Sequence, residues 1–226
     1  MIETLKLCLK KNLFIFFPLG FFSGLPLLLT SATLGTWLAD VGVNKTTIGL
    51  FALVGIPYSL KFLWASFLDT NIKLRLLKKM GRRRIWILIF QILICVNIFI
   101  MAHIDPVINT MQMAIFAITL AFFSASQDIA IDAWRIEINE EKELGLGAAL
   151  YVTGYRIALL AAGAGALVMA DIYSWKLSFI LLSCIYPLGI ILVLSIKIED
   201  KSSNVKVIEK SIKNIIEERV LKPFYD

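Results

Sequence analysis

Six runs of apolar residues, at about 13–39, 46–68, 85–103, 110–131, 145–170 and 177–196, constrain this chain more than any other feature. Each is long enough to cross a hydrocarbon core of about 30 Å, which takes about 20 helical residues. Inside lipid the backbone amides have no partner but one another, so each run must be a helix unless a barrel closes. The runs are continuously apolar rather than alternating, which excludes the barrel. The expected fold is an all-α integral membrane protein with six transmembrane helices. At 226 residues, 58% apolar, six spans leave no room for an appended soluble catalytic domain. The first run is too long for the apolar stretch of a cleavable signal peptide, and a second follows at once.

The mean hydropathy of +0.79 agrees with a bilayer. A net charge of +6 would also suit nucleic acid, but the cations are sorted by loop. Nineteen of the 23 Lys and Arg fall in the amino-terminal arm, the loops after runs two and four, and the tail; the other loops hold only Lys45 and Lys176. That bias places both termini in the cytoplasm and makes the lipid bilayer, not nucleic acid, the partner. Turns are expected at Asp40-Val-Gly-Val-Asn44, Asp105-Pro106 and Asp171-Ile-Tyr-Ser174. The chain divides into an arm over 1–12, a bundle over 13–196 and a tail over 197–226, where Val205, Ile208, Ile212, Ile215, Ile216 and Val220 recur at helical spacing and predict an amphipathic helix. Cys8, Cys95 and Cys184 match neither a disulfide framework nor a zinc spacing, so no metal and no cofactor is expected.

Ionisable side chains inside a membrane are functional candidates by default. Arg156 lies roughly 11 residues into the fifth run, near the bilayer midplane at 1.5 Å per residue. At that depth it calls for a carboxylate partner or an anionic ligand, against the plainer alternative of a structural ion pair. Tyr151 and Tyr155, four apart on the same helix, are placed to stack on a sugar or to donate hydroxyls, or simply to pack. Asp128 and Asp132 stand one turn apart with Arg135 one turn further; an ion-pair ladder is the plain account, and accepting and releasing a proton the functional one. Lys61 is near enough to the inner end of its run to snorkel. Gly20, Gly24 and Pro26 interrupt the first run and Gly55 with Pro57 the second, as helices do beside transported ligands. Asp69, followed by a basic loop and then Gly81-Arg82-Arg83-Arg84, carries the charges of a gate that opens and closes by ion pairing.

The Asp69 to Arg84 arrangement resembles a stretched form of the loop motif between spans two and three of the major facilitator superfamily. Further stretches resemble one branch, the AmpG-type muropeptide permeases, which are related to acetyl-CoA transporters: Phe22-Ser-Gly-Leu-Pro26, Gly35-Thr-Trp-Leu38, Thr47-Ile-Gly-Leu-Phe51, Gly55 through Ala65, Ser124-Ala-Ser-Gln-Asp128 through Ala133, and Gly147 through Arg156. The resemblance implies proton symport of anhydro-sugar peptides across the bacterial inner membrane, linked to peptidoglycan recycling and β-lactamase induction. It implies substrate contacts at Arg156, Tyr151, Tyr155 and Lys61, proton coupling at Asp128 and Asp132, and gating at Asp69 and Gly81 to Arg84. The fold implied is one half of a twelve-helix bundle, the tail resembling its central loop. A separately encoded second half, a homodimer, or a remnant of a broken gene would each account for the length, the remnant or split gene being favoured. Two other classes compete. An intramembrane enzyme would use Asp128 and Asp132, with no His or Cys cluster to help; His103 sits at a span end. A six-span scaffold subunit would transport nothing.

Overall fold

The computed structural model describes residues 11–69 and 81–196, without the side chains of residues 11, 12 and 69. The predicted amphipathic helix of the tail and most of the basic loop lie outside the described residues. Those described are helical, with no strand among them. Five helices are long and apolar enough to cross a membrane: Phe16–Asp40, Arg82–Met101, Thr110–Ile138, Glu141–Ile172 and Trp175–Ser195, here spans one, three, four, five and six. Span two is a bent pair, Lys45–Leu60 and Phe62–Leu68, meeting at 42°. The expected all-α, six-span architecture is present.

Turn chemistry fixes the connections. Asn44 caps span two by accepting from the Thr47 N–H at 2.8 Å, and Ser174 caps span six through the Leu177 N–H at 3.2 Å. Asp105 Oδ1 accepts from the amides of Val107 and Ile108. Gly42, at φ +84°, takes the left-handed conformation that ends span one.

Prolines inside helices leave the carbonyl four residues earlier without its donor. Each of the three interior cases is met differently. Pro26 bares the Phe22 carbonyl, and the Tyr186 hydroxyl of span six donates to it at 2.9 Å. Pro187 bares the Ser183 carbonyl, which accepts from the Cys95 thiol of span three at 3.4 Å. Pro57 bares the Leu53 carbonyl, and the Ile56 amide closes a 3-10 bond onto it. That local repair tightens span two at Phe51–Gly55 instead of kinking it, so the bend falls later, at Lys61. The sequence placed the interruption at Gly55 and Pro57; the backbone bonding moves it. Tyr186→Phe is expected to cost about 2 kcal/mol by orphaning a buried acceptor. In a Pro26→Ala background that cost should largely vanish, because an alanine there brings back the missing N–H; a double-mutant cycle of unfolding free energies in detergent checks this.

Two apolar cores stack along the bundle. One holds Leu25, Leu29, Ile94, Ile98, Leu120 and Phe179. The other, toward the basic end, holds Phe16, Leu19, Ile87, Ile131, Trp134 and Val193. Between them the spans contribute Ser23, Gln91, Ser124, Ser126, Gln127 and Asp128, all buried. A polar layer thus crosses the middle of a membrane-embedded unit.

Spans one and five are the most intimately packed pair. A Cβ on Gly20 would fall on the Tyr151 carbonyl, one on Gly24 would lie 2.7 Å from the Tyr155 oxygen, and one on Gly154 would fall on the Phe17 carbonyl. Gly20 and Gly24, read from sequence as breaks beside a ligand, are where span five's backbone approaches span one. Span five also carries a π-helical turn at Ala161–Gly165, and the Thr33 hydroxyl donates to the Ala162 carbonyl within it at 2.7 Å.

Candidate functional site: a polar layer and a basic clasp

Within the polar layer, Asp128 of span four points into the bundle and is 8% exposed. The Ser23 hydroxyl of span one donates to Asp128 Oδ1. The Tyr151 hydroxyl of span five donates to Ser23 Oγ at 2.7 Å and approaches Asp128 Oδ1 at 3.4 Å. Three spans therefore meet on one carboxylate oxygen. Asp132, one turn later, has a different fate: its carboxylate is 40% exposed and pairs with Arg135 at 3.0 Å. The ion-pair ladder expected from spacing exists for Asp132 and Arg135 and does not include Asp128. The Arg135 guanidinium also lies over the Tyr151 ring, 5.9 Å from its centroid.

The remaining candidates surround this centre. Lys61 is half-buried at the bend of span two, within electrostatic reach of Asp128. Beyond the bend, the Trp64 indole donates to Ser126 at 3.0 Å and its ring packs on Phe122, which fixes the second segment of span two against span four. Tyr155 is half-buried, its ring 6.2 Å from that of Tyr151. Arg156 is exposed on the outer face of span five, and no carboxylate among the described residues pairs with it. The structure thus brings Tyr151, Asp128 and Lys61 to one centre and sets Arg156 on a surface. No group of three or more His, Cys, Asp or Glu among the described residues is arranged to hold a metal.

At the basic end, Gly81 takes φ +76° at the start of span three, a conformation that favours glycine. The next two residues converge on Glu137 of span four: Arg83 approaches it at 2.7 Å and Arg82 at 3.4 Å. Arg84, buried, donates to the Val193 carbonyl at 2.9 Å and so caps the last turn of span six. The Asp69 side chain lies outside the described residues. Glu137 and Ser23 were not singled out from sequence. Glu137 is 54 residues from Arg83, and no local pattern announces the pair. Glu137→Ala is expected to cost about 2 kcal/mol, since it removes the carboxylate on which two poorly exposed guanidinium groups converge. Thermal unfolding in detergent measures it, and Glu137→Asp should recover part of the loss.

A family model for the major facilitator superfamily matches residues 16–224. The chain belongs to that superfamily. Among curated proteins it is 42% identical to the anhydromuropeptide permease of Escherichia coli (strain K12) over 173 residues, covering 74% of this chain and 34% of the permease. It is 40% identical over 182 residues to an uncharacterised Haemophilus influenzae protein, covering 80% of this chain and 42% of that one. A Rickettsia felis protein whose name places it among AmpG transporters is 33% identical over 193 residues, covering 84% of this chain and 46% of its own length. The chain spans between a third and a half of the length of these relatives. It is a multi-pass membrane protein of the major facilitator superfamily, similar to part of the AmpG-type permeases. The relatives that carry a functional name are a permease and AmpG-type transporters, not enzymes, and the intramembrane-enzyme reading of Asp128 and Asp132 gives way accordingly.

Proposed function

We propose that this chain forms the amino-terminal six-helix half of a proton-coupled importer of muropeptides, anionic anhydro-sugar peptides, in the bacterial inner membrane, with both termini cytoplasmic and a role in peptidoglycan recycling. The observation that carries the reading is the 42% identity to the anhydromuropeptide permease. The polar layer supports it. Among the described residues the side-chain amides of Gln91 and Gln127 have no bonded partner, and polar groups of that kind sit where water or a ligand reaches them. Asp128 is the proton-linked group, with Asp132 held beside it by Arg135. Arg156 and Tyr155 face the substrate. Lys61 supplies a second cation from the bend. Tyr151 serves both, its hydroxyl in the Asp128 network and its ring edge beside Tyr155. An arginine exposed at mid-membrane is tolerable only against protein or a wet cavity, so a second six-helix unit covers that face. Arg82 and Arg83 with Glu137 close the cytoplasmic side, joined by Asp69.

The test places these six spans in the Escherichia coli permease in place of its matching segment. Vesicles bearing the chimera are expected to take up labelled anhydromuropeptide when a proton gradient is imposed. A chimera that inserts stably and takes up none overturns the substrate assignment. Arg156→Ala should lower uptake about tenfold or more, the scale of one lost charge-assisted contact. Unchanged uptake removes Arg156 from the substrate site.

A further inference from the structure

The bundle contains a rigid pair of spans and a polar tie that joins it to span four. Spans one and five touch backbone to backbone at Gly20, Gly24 and Gly154, so they move as one body or not at all. Near the middle of the membrane, that pair is joined to span four through Asp128: Tyr151 of span five donates to Ser23 of span one, and Ser23 donates to the carboxylate. Both donors serve the anion. A charge-assisted hydrogen bond is about twice as strong as a neutral one, so neutralising the acceptor weakens the link without disturbing the glycine contacts. Once the carboxyl is neutral, the Ser23 hydroxyl has a ready alternative acceptor in the carbonyl one turn back, the bond that Thr30, Ser31 and Thr36 make in this same span. The titratable groups within electrostatic reach of Asp128 are Tyr58 and Lys61 of span two, Asp132 of its own helix, Tyr151 and Tyr155 of span five, and Tyr186 of span six.

We propose that Ser23 is the positioning residue of a proton-operated latch: ionised Asp128 holds the paired spans one and five against span four through the Ser23 and Tyr151 hydroxyls, and a proton on the carboxylate frees the pair to shift. The inference rests on Asp128 being the proton-linked group. It goes further in naming the moving body and the hydroxyl that releases it. Ser23 touches no substrate in this scheme; it acts through Asp128.

The experiment uses the purified chain in lipid nanodiscs, with Cys8, Cys95 and Cys184 replaced by serine and spin labels on cysteines at the exposed positions Ile118 of span four and Val168 of span five. Infrared spectroscopy of the Asp128 carboxyl, identified by its loss in Asp128→Asn, reads the proton separately. From mildly alkaline to mildly acidic buffer the label distance is expected to shift by about 1–2 Å, the scale of helix shifts in switching proteins. Asp128→Asn, a neutral acceptor, should hold the acidic distance in both buffers. Ser23→Ala should lose the distance change while the carboxyl still titrates, and Ser23→Thr, which keeps the hydroxyl, should restore it. If Ser23→Ala fails to fold, Tyr151→Phe, which removes only the outer link, should at least halve the shift. A carboxyl that titrates while the distance stays fixed, or a Ser23→Ala chain that responds like wild type, overturns the latch and leaves the proton assignment standing. A carboxyl that does not titrate overturns both.

Discussion

Gly154→Ala is expected to destabilise the bundle by about 3 kcal/mol or more, the upper range for forcing volume into a packed core. The added methyl would fall on the Phe17 carbonyl oxygen and lie 3.0 Å from the Phe21 amide. Both are backbone, so no rotamer change relieves the clash. Spans one and five would have to separate along their length, opening the contacts at Gly20 and Gly24 and pulling Tyr151 from Ser23. Gly145→Ala and Gly35→Ala provide the contrast, because a Cβ at either position meets nothing within 4 Å. There the usual helix preference should prevail, stabilising the chain by up to about 1 kcal/mol. Thermal unfolding of the three variants in detergent separates the cases. Equal behaviour would mean that the close approach of spans one and five is not what holds the bundle.

Asp128→Asn in the chimeric permease is expected to abolish proton-driven accumulation while leaving exchange of substrate across the membrane intact. Asn keeps the shape of the side chain and an oxygen to accept from Ser23, but it carries no titratable proton. One pH unit is worth about 1.4 kcal/mol per proton and so drives about tenfold accumulation per proton symported. Without coupling, the ratio of inside to outside substrate falls to one. Accumulation measured with an imposed gradient, beside counterflow measured without one, distinguishes a lost proton site from a lost substrate site. Asp132→Asn should have a much smaller effect, because that carboxylate is already neutralised by Arg135 and partly hydrated. Equal losses in the two variants would show that the pair titrates as a unit.

The spans and turns were legible because lipid permits so few backbone solutions: an apolar run of span length has to be helical, and Asn44, Asp105 and Ser174 sit where caps and turns need oxygen acceptors. Roles within the polar layer were less legible, because they depend on helix rotation. Asp128 and Asp132 differ by about 40° around the helix axis at 3.6 residues per turn. That angle is enough to turn one into the core and leave the other at its edge; position along the span marks Asp128 as the deeper of the two, while the direction each faces is set by the packing of the other spans. Glycine has the same ambiguity. Gly20 and Gly24 read as interruptions when span one is taken alone, and become contact points only when span five is laid against them. The Glu137 clasp and the Ser23 donor depend on partners 54 and 105 residues away, so spacing arguments confined to one helix could not reach them.

The borrowed donor at Pro26 bears on how the chain is made. Spans enter the membrane in order from the amino terminus, and the group that completes span one, the Tyr186 hydroxyl, arrives 164 residues after Phe22. Until span six is inserted, a carbonyl in the first helix faces hydrocarbon without a donor, a state costing a few kcal/mol. A nascent chain that has stopped after five helices therefore keeps this acceptor unpaired in span one, and one that has delivered its sixth does not. Span six completes span one.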